Sequence, residues 1–240
     1  LETHVYTVRR PTERRGEGRA PARRSKKPTA RRKLTLILLL LFIGLAVVQT
    51  VWGNPFDFLI HRTPDYDNMD PVGDAYGVPV FEAIVPEDAP GRPGEKREIQ
   101  YVVIHETGNF DRGADAKAHA NLLTEGSGGQ TSWHYTVDDH EIFHHLPDGE
   151  IAWHAGDQRT ENGGNTCGIG VELCVNEDGD FEATFENGAK LTASLLHRYG
   201  LSIEAVKQHH DFSGKNCPQN IRESDRWDEF LSLVQSYLDQ

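Results

Sequence analysis

The distribution of apolar and polar positions divides the chain into distinct regions. Residues 34–52 (LTLILLLLFIGLAVVQTVW) form an apolar run without a single charge. As a helix rising 1.5 Å per residue it would span about 28 Å, close to the about 30 Å hydrocarbon core of a bilayer. The run predicts one transmembrane helix, and no small-residue cleavage site follows at Val51, Trp52 and Gly53, so an uncleaved anchor is expected. Residues 53–78 are rich in Asp, Pro, Tyr and Gly without sustained period and read as a linker.

From Pro79 onward the pattern becomes that of a compact domain. Gln100–His105 (QYVVIH) is a β-branched run typical of a buried strand, and Ala114–Leu123 reads as a helix. Trp133–Val137 and Glu141–His145 flank a polar turn and predict a hairpin, with Ile151–His154 a further short strand. Gly168–Cys174 (GIGVELC) alternates, placing Ile169, Val171 and Leu173 on one face and Gly170, Glu172 and Cys174 on the other. Leu191–Tyr199 reads as a helix closed by Gly200, and Ser224–Leu238 carries Trp227, Phe230, Leu231, Val234 and Leu238 on one stripe. Paired strands followed by helices predict an α/β fold, a mixed central β-sheet flanked by helices.

Composition and charge refine this outline. With 37% hydrophobic and 26% charged residues in 240, the chain suits a globular protein and excludes collagen-like, coiled-coil and disulfide-scaffold classes. The net charge of -12 conceals a split. Residues 1–33 hold twelve Lys/Arg against three Glu, a local +9, which leaves -21 for the rest. A basic arm directly before an apolar span is expected to stay cytoplasmic, sending the remainder outward, so it reads as a topology signal and no nucleic-acid partner is expected. The arm itself is expected to be disordered.

Three cysteines in an exported chain invite a disulfide. If Gly168–Cys174 is one strand, however, Cys167 and Cys174 lie about 20 Å apart, beyond the roughly 7 Å reach of a bridge. Cys217 has different company, closing the run HHDFSGKNCP (His209–Pro218) in which two imidazoles and Lys215 accompany a thiol. Imidazole and thiolate are zinc ligands. A third ligand must come from elsewhere, and His105, at the end of an apolar strand where a loop begins, is the best candidate. Glu172 stands out as a carboxylate in an otherwise apolar strand, although from spacing alone an exposed strand face or a structural ion pair is the readier account. His119, His140, His144, His145 and His197 read as surface residues of helix or hairpin.

Five segments in order, YVVIHETGN (Tyr101–Asn109), SWHYTVDD (Ser132–Asp139), AWHAGD (Ala152–Asp157), GIGVEL (Gly168–Leu173) and HHDFSGKNCP, resemble the zinc-dependent N-acetylmuramoyl-L-alanine amidases of amidase type 2, whose fold is shared with peptidoglycan recognition proteins. The resemblance covers about Pro79 to Arg222. It implies His105, His209 and Cys217 as ligands of Zn2+, Glu172 and Lys215 as catalytic groups, and His154 at a substrate-groove position. Trp153 would line the groove beside it or belong to the core. Some phage members use a Tyr just before the His of the SWHY-like motif as base; that position is Trp133 here, which leaves the base role to Glu172.

The implied activity is a peptidoglycan hydrolase that cuts the amide between the lactyl group of N-acetylmuramic acid and L-alanine by zinc-activated water. The main alternative is a non-catalytic peptidoglycan-binding module of the same fold. The organisation expected is a cytoplasmic arm at 1–33, an anchor at 34–52, an extracellular linker at 53–78 and a monomeric amidase domain at 79–240.

Overall fold

The computed structural model describes residues 65–240. The basic arm and the transmembrane helix expected at 34–52 lie outside these residues; among the described ones no helix is long and apolar enough to cross a membrane. Seven strands form one mixed sheet: β1 (Gly73–Ala75), β2 (Val78–Glu82), β3 (Tyr101–Glu106), β4 (Tyr135–Val137), β5 (Ile142–His144), β6 (Gly168–Leu173) and β7 (Val206–Gln208), in the order β1-β2-β5-β4-β6-β3-β7. The β1–β2 and β4–β5 pairs are antiparallel, whereas β3 is parallel to both of its neighbours, β6 and β7. A strand enclosed on both edges and both faces needs a continuous apolar sequence, which is what YVVI supplies.

Helices cover both faces. On one, α3 (Phe181–Tyr199) and α6 (Trp227–Leu238) pack together over Val102, Ile104, Ile169, Val171 and Leu173, with Phe185, Leu195, Leu196, Phe230 and Val234 buried between them. Each fully buried side chain of this size contributes about 1.5–3 kcal/mol before conformational entropy is counted. On the other face α1 (Ala116–Thr124) sets Ala116 and Ala120 against Phe143 and Cys174. Asp180 caps α3 by accepting from the backbone N–H of Glu182 and Ala183, and Gly200, at φ 62°, ends it in the left-handed region. Short helices α2 (Gly164–Cys167), α4 (His210–Ser213) and α5 (Gln219–Glu223) complete the fold.

Several expectations shift. Folded structure begins before Pro79: Tyr66 is buried edge-on to Phe143 with ring centroids 5.0 Å apart, and Ala75 is buried in β1, so the linker does not extend to residue 78. The helix expected at 191–199 starts ten residues earlier, at the Asp180 cap. Residues 151–154 form no strand; their backbone bonds go instead to Glu95, Asn165 and Ser132. His119 and His145 are buried, not on the surface, because each finds an interior partner, the Asp115 carbonyl for His119 and the Thr136 hydroxyl for His145. All three cysteines are buried and free, in keeping with the distance argument against a Cys167–Cys174 bridge.

Candidate metal centre and active site

Because β3, β6 and β7 run parallel, their carboxyl ends share one edge of the sheet. His105 lies at the end of β3, on the face away from α3 and α6, and is in register with Glu172 on β6. His209 directly follows β7, its backbone N–H donating to the Ile104 carbonyl at 3.2 Å. The chain then turns through α4 and returns: His210 N–H donates to the Cys217 carbonyl at 3.0 Å, which brings the thiol back beside His209. Asp211 serves this turn by accepting from the Gln208 N–H at 2.8 Å.

Three donor atoms converge. His105 Nδ1 lies 3.0 Å from His209 Nδ1 and 3.9 Å from Cys217 Sγ, and all three residues are buried. A tetrahedral zinc ion with ordinary bond lengths would hold its nitrogens about 3.3 Å apart and nitrogen and sulfur about 3.6 Å apart. Two imidazole nitrogens and a thiol sulfur at 3.0 and 3.9 Å therefore fit such an ion with small adjustment. They leave one tetrahedral position for a small molecule.

The surroundings keep the ring nitrogens available. Burial lowers His105 well below its ordinary value, with His154, His209 and Lys215 adding to the effect. Burial and Lys215 bring His209 down to about 4. Both rings are neutral at pH 7, the form that ligates metal. The Cys217 thiol is pushed up to about 12 by burial and by Glu172, so a cation at this point would be needed to draw off its proton.

Glu172 occupies the adjoining position, its Oε1 3.8 Å from His105 Nδ1 and its buried Oε2 without a hydrogen-bond partner. Burial raises its carboxyl to about 8, with Glu106 contributing and Lys215 opposing. A carboxyl in that range can both accept and return a proton near neutrality.

A cavity of about 840 Å³ adjoins this centre at His209, lined also by Trp153, His154, Arg159 and Lys215 among others. Trp153 is half-buried in the wall, with the Arg159 guanidinium 5.1 Å from the centre of its ring, so it belongs to the groove. Lys215, also on the cavity lining, is exposed. Trp133 is buried, and its indole N–H donates to Thr136 Oγ1 at 2.7 Å, which assigns it to the interior and away from chemistry.

Two residues that the sequence did not single out support the site. The buried carboxylate of Glu106 accepts from the backbone N–H of Asn220 at 2.8 Å and of Ile221 at 3.0 Å, tying the strand that carries His105 to the segment after Cys217. Its partners lie more than 100 residues away, and the sequence around it carries no signal for them. Asn165 accepts from the N–H of both His154 and Ala155 at 2.8 and 2.7 Å, and nothing in its turn-like NGGN context distinguishes it.

The Amidase_2 family, described as N-acetylmuramoyl-L-alanine amidase, matches residues 95–220, a span containing every site residue named above except Ile221. The chain belongs to this family. Among amidase relatives, the N-acetylmuramoyl-L-alanine amidase XlyA of Bacillus subtilis (strain 168) is 41% identical over 157 residues, covering 65% of this chain and 51% of the relative. CwlH of the same organism, also an N-acetylmuramoyl-L-alanine amidase, is 38% identical over 159 residues, 66% of this chain and 62% of its own length. The solved catalytic domain of XlyA superposes with a TM-score of 0.61 at 40% identity, over 65% of this chain and 99% of that domain. The chain thus spans between about half and three-fifths of the length of these two amidase relatives, while matching a solved amidase catalytic domain almost end to end.

Proposed function

We propose that this chain is a zinc-dependent peptidoglycan hydrolase that cleaves the amide between the lactyl group of N-acetylmuramic acid and the L-alanine of the stem peptide. The observation that carries this reading is the juxtaposition of a buried His105, His209 and Cys217 donor set with the Glu172 carboxyl, whose Oε2 has no hydrogen-bond partner, beside a cavity that His209 and Lys215 line. Family membership and the amidase relatives support it.

When bound by His105, His209 and Cys217, zinc would supply Lewis acidity, making water more acidic and the scissile carbonyl more electrophilic. Glu172 takes the proton from the attacking water at its free Oε2 and returns it to the departing amine. Lys215, on the cavity wall, offers its ammonium to the carbonyl oxygen as negative charge develops there. Trp153 and His154 line the groove in which the glycan or stem peptide lies. We further propose that residues 34–52 anchor the protein as a single transmembrane helix, with the basic arm cytoplasmic and the catalytic domain extracellular as a monomer. A domain this acidic gains no long-range attraction to an anionic cell wall, so the anchor would keep it close to substrate.

The test is to incubate the full chain with purified peptidoglycan and quantify newly exposed amino termini, with and without a zinc chelator. Release that stops with chelator and returns with zinc is expected. Zinc binding without any release would favour a peptidoglycan-binding module of the same fold.

A further inference from the structure

His154 lines the groove, yet its ring is turned inward and both nitrogens are engaged. Nε2 lies 3.2 Å from the Gly168 carbonyl oxygen, and Nδ1 lies 2.9 Å from His105 Nε2. A carbonyl only accepts, so His154 Nε2 carries the proton. In a neutral imidazole the other nitrogen is then bare, and it accepts from His105 Nε2–H. His105 is left with its lone pair on Nδ1, the atom that meets His209 and Cys217. The direction of the whole relay is set at its far end by a backbone oxygen, which can only accept.

We propose that His154 is a positioning residue that sets the tautomer and ring orientation of His105, so that Nδ1 is presented to the cation; this rests on the metal reading above and deepens it. The surroundings are built for that task. A side chain on Gly170 would place its Cβ 2.8–2.9 Å from three atoms of the His154 ring, so β6 offers the imidazole a bare backbone to lie against. Asn165 Oδ1 holds the backbone of residues 154 and 155 together, and the same Ala155 backbone hydrogen-bonds His209. One clamped dipeptide thus supports both imidazole ligands. A side chain devoted to substrate alone would have no need to turn both nitrogens away from the groove.

The experiment uses the full chain. His154→Phe keeps a ring of similar bulk without an acceptor, whereas His154→Asn keeps an oxygen near the place of Nδ1. Zinc affinity by chelator competition should fall about 10–100-fold in the Phe variant, the usual effect of losing such a partner, and recover at least partly in the Asn variant. Thermal unfolding of the metal-free proteins shows whether each variant is folded. Independently of any variant, nitrogen-15 NMR of the zinc-loaded wild type should find His105 and His154 both protonated at Nε2 and not at Nδ1. A folded Phe variant binding zinc within about threefold of wild type would overturn the proposal. So would a proton on Nδ1 of His154 in the spectrum. A wild-type chain that bound no zinc at all would instead overturn the metal reading on which the proposal stands.

Discussion

Glu106 offers a direct test of how the centre is held together. Its carboxylate is the acceptor for the Asn220 and Ile221 N–H groups, which belong to the exposed-donor end of the five-residue α5 and have no partner within the helix. Replacing it with alanine strands both donors in the interior. A hydrogen bond to a charged acceptor contributes about 1.5–3 kcal/mol, so two sum to about 3–6; relief from burying the carboxylate offsets part of this and leaves a loss of about 3 kcal/mol. For a domain of this size the melting temperature should drop by about 6–12 °C. Glu106→Gln keeps one acceptor oxygen but turns an amide N–H toward the second donor, so roughly half the loss is expected. Because the same carboxylate ties the strand that carries His105 to the segment just after Cys217, zinc affinity should weaken along with stability. The assay is denaturant unfolding of the metal-free full chain beside chelator competition. A Glu106→Ala variant within about 1 kcal/mol of wild type and with unchanged zinc affinity would refute the view that this carboxylate fixes the third ligand.

Glu172→Gln should keep zinc while turnover falls about 10²–10⁴-fold, as for loss of a general base; retained turnover, measured by release of amino termini, would move that role to another residue. Cys217→Ala removes one of three ligands and should weaken zinc binding by about 10³-fold, with activity lost at ordinary zinc concentration; competition with a chromophoric chelator decides it. Metal-free stability should fall on acidification below pH 6.5. His145 is lowered to about 3 by burial and by His144, so from pH 6.5 down to about 3 the unfolded chain binds a proton that the folded one does not. Stability therefore rises with pH across that window by about 1.4 kcal/mol per unit for this histidine alone. Unfolding curves at pH 7, 5.5 and 4.5 check the sign; equal midpoints would contradict it.

The parts of this molecule that were legible in the sequence are those whose signal is local. The YVVI run, the alternation around Glu172 and the stripe of Trp227, Phe230 and Val234 each announce their element within a few residues. The ligand set required the order of motifs, since His105 and His209 meet only when two parallel strands place their ends side by side. Three-residue strands such as β1 and β7 were missed because their pairing, and not any period of their own, makes them strands. The apolar Ile151–His154 stretch read as a strand because burial alone resembles one, whereas its backbone is bonded to Asn165 and to loops. His119 and His145 look like surface histidines until their interior partners are known. His154 and Glu106 act through contacts 49 and more than 100 residues away, which no spacing could reveal.

The most direct test of the central claim is the bond that is cut. Purified peptidoglycan digested by the full chain and analysed by mass spectrometry should yield stem peptides beginning with free L-alanine, together with glycan strands whose muramic acid lactyl groups carry free carboxylates. Neither product should form in Glu172→Gln. Fragments cut within the stem peptide, or no fragments from a zinc-loaded wild-type chain, would contradict the account.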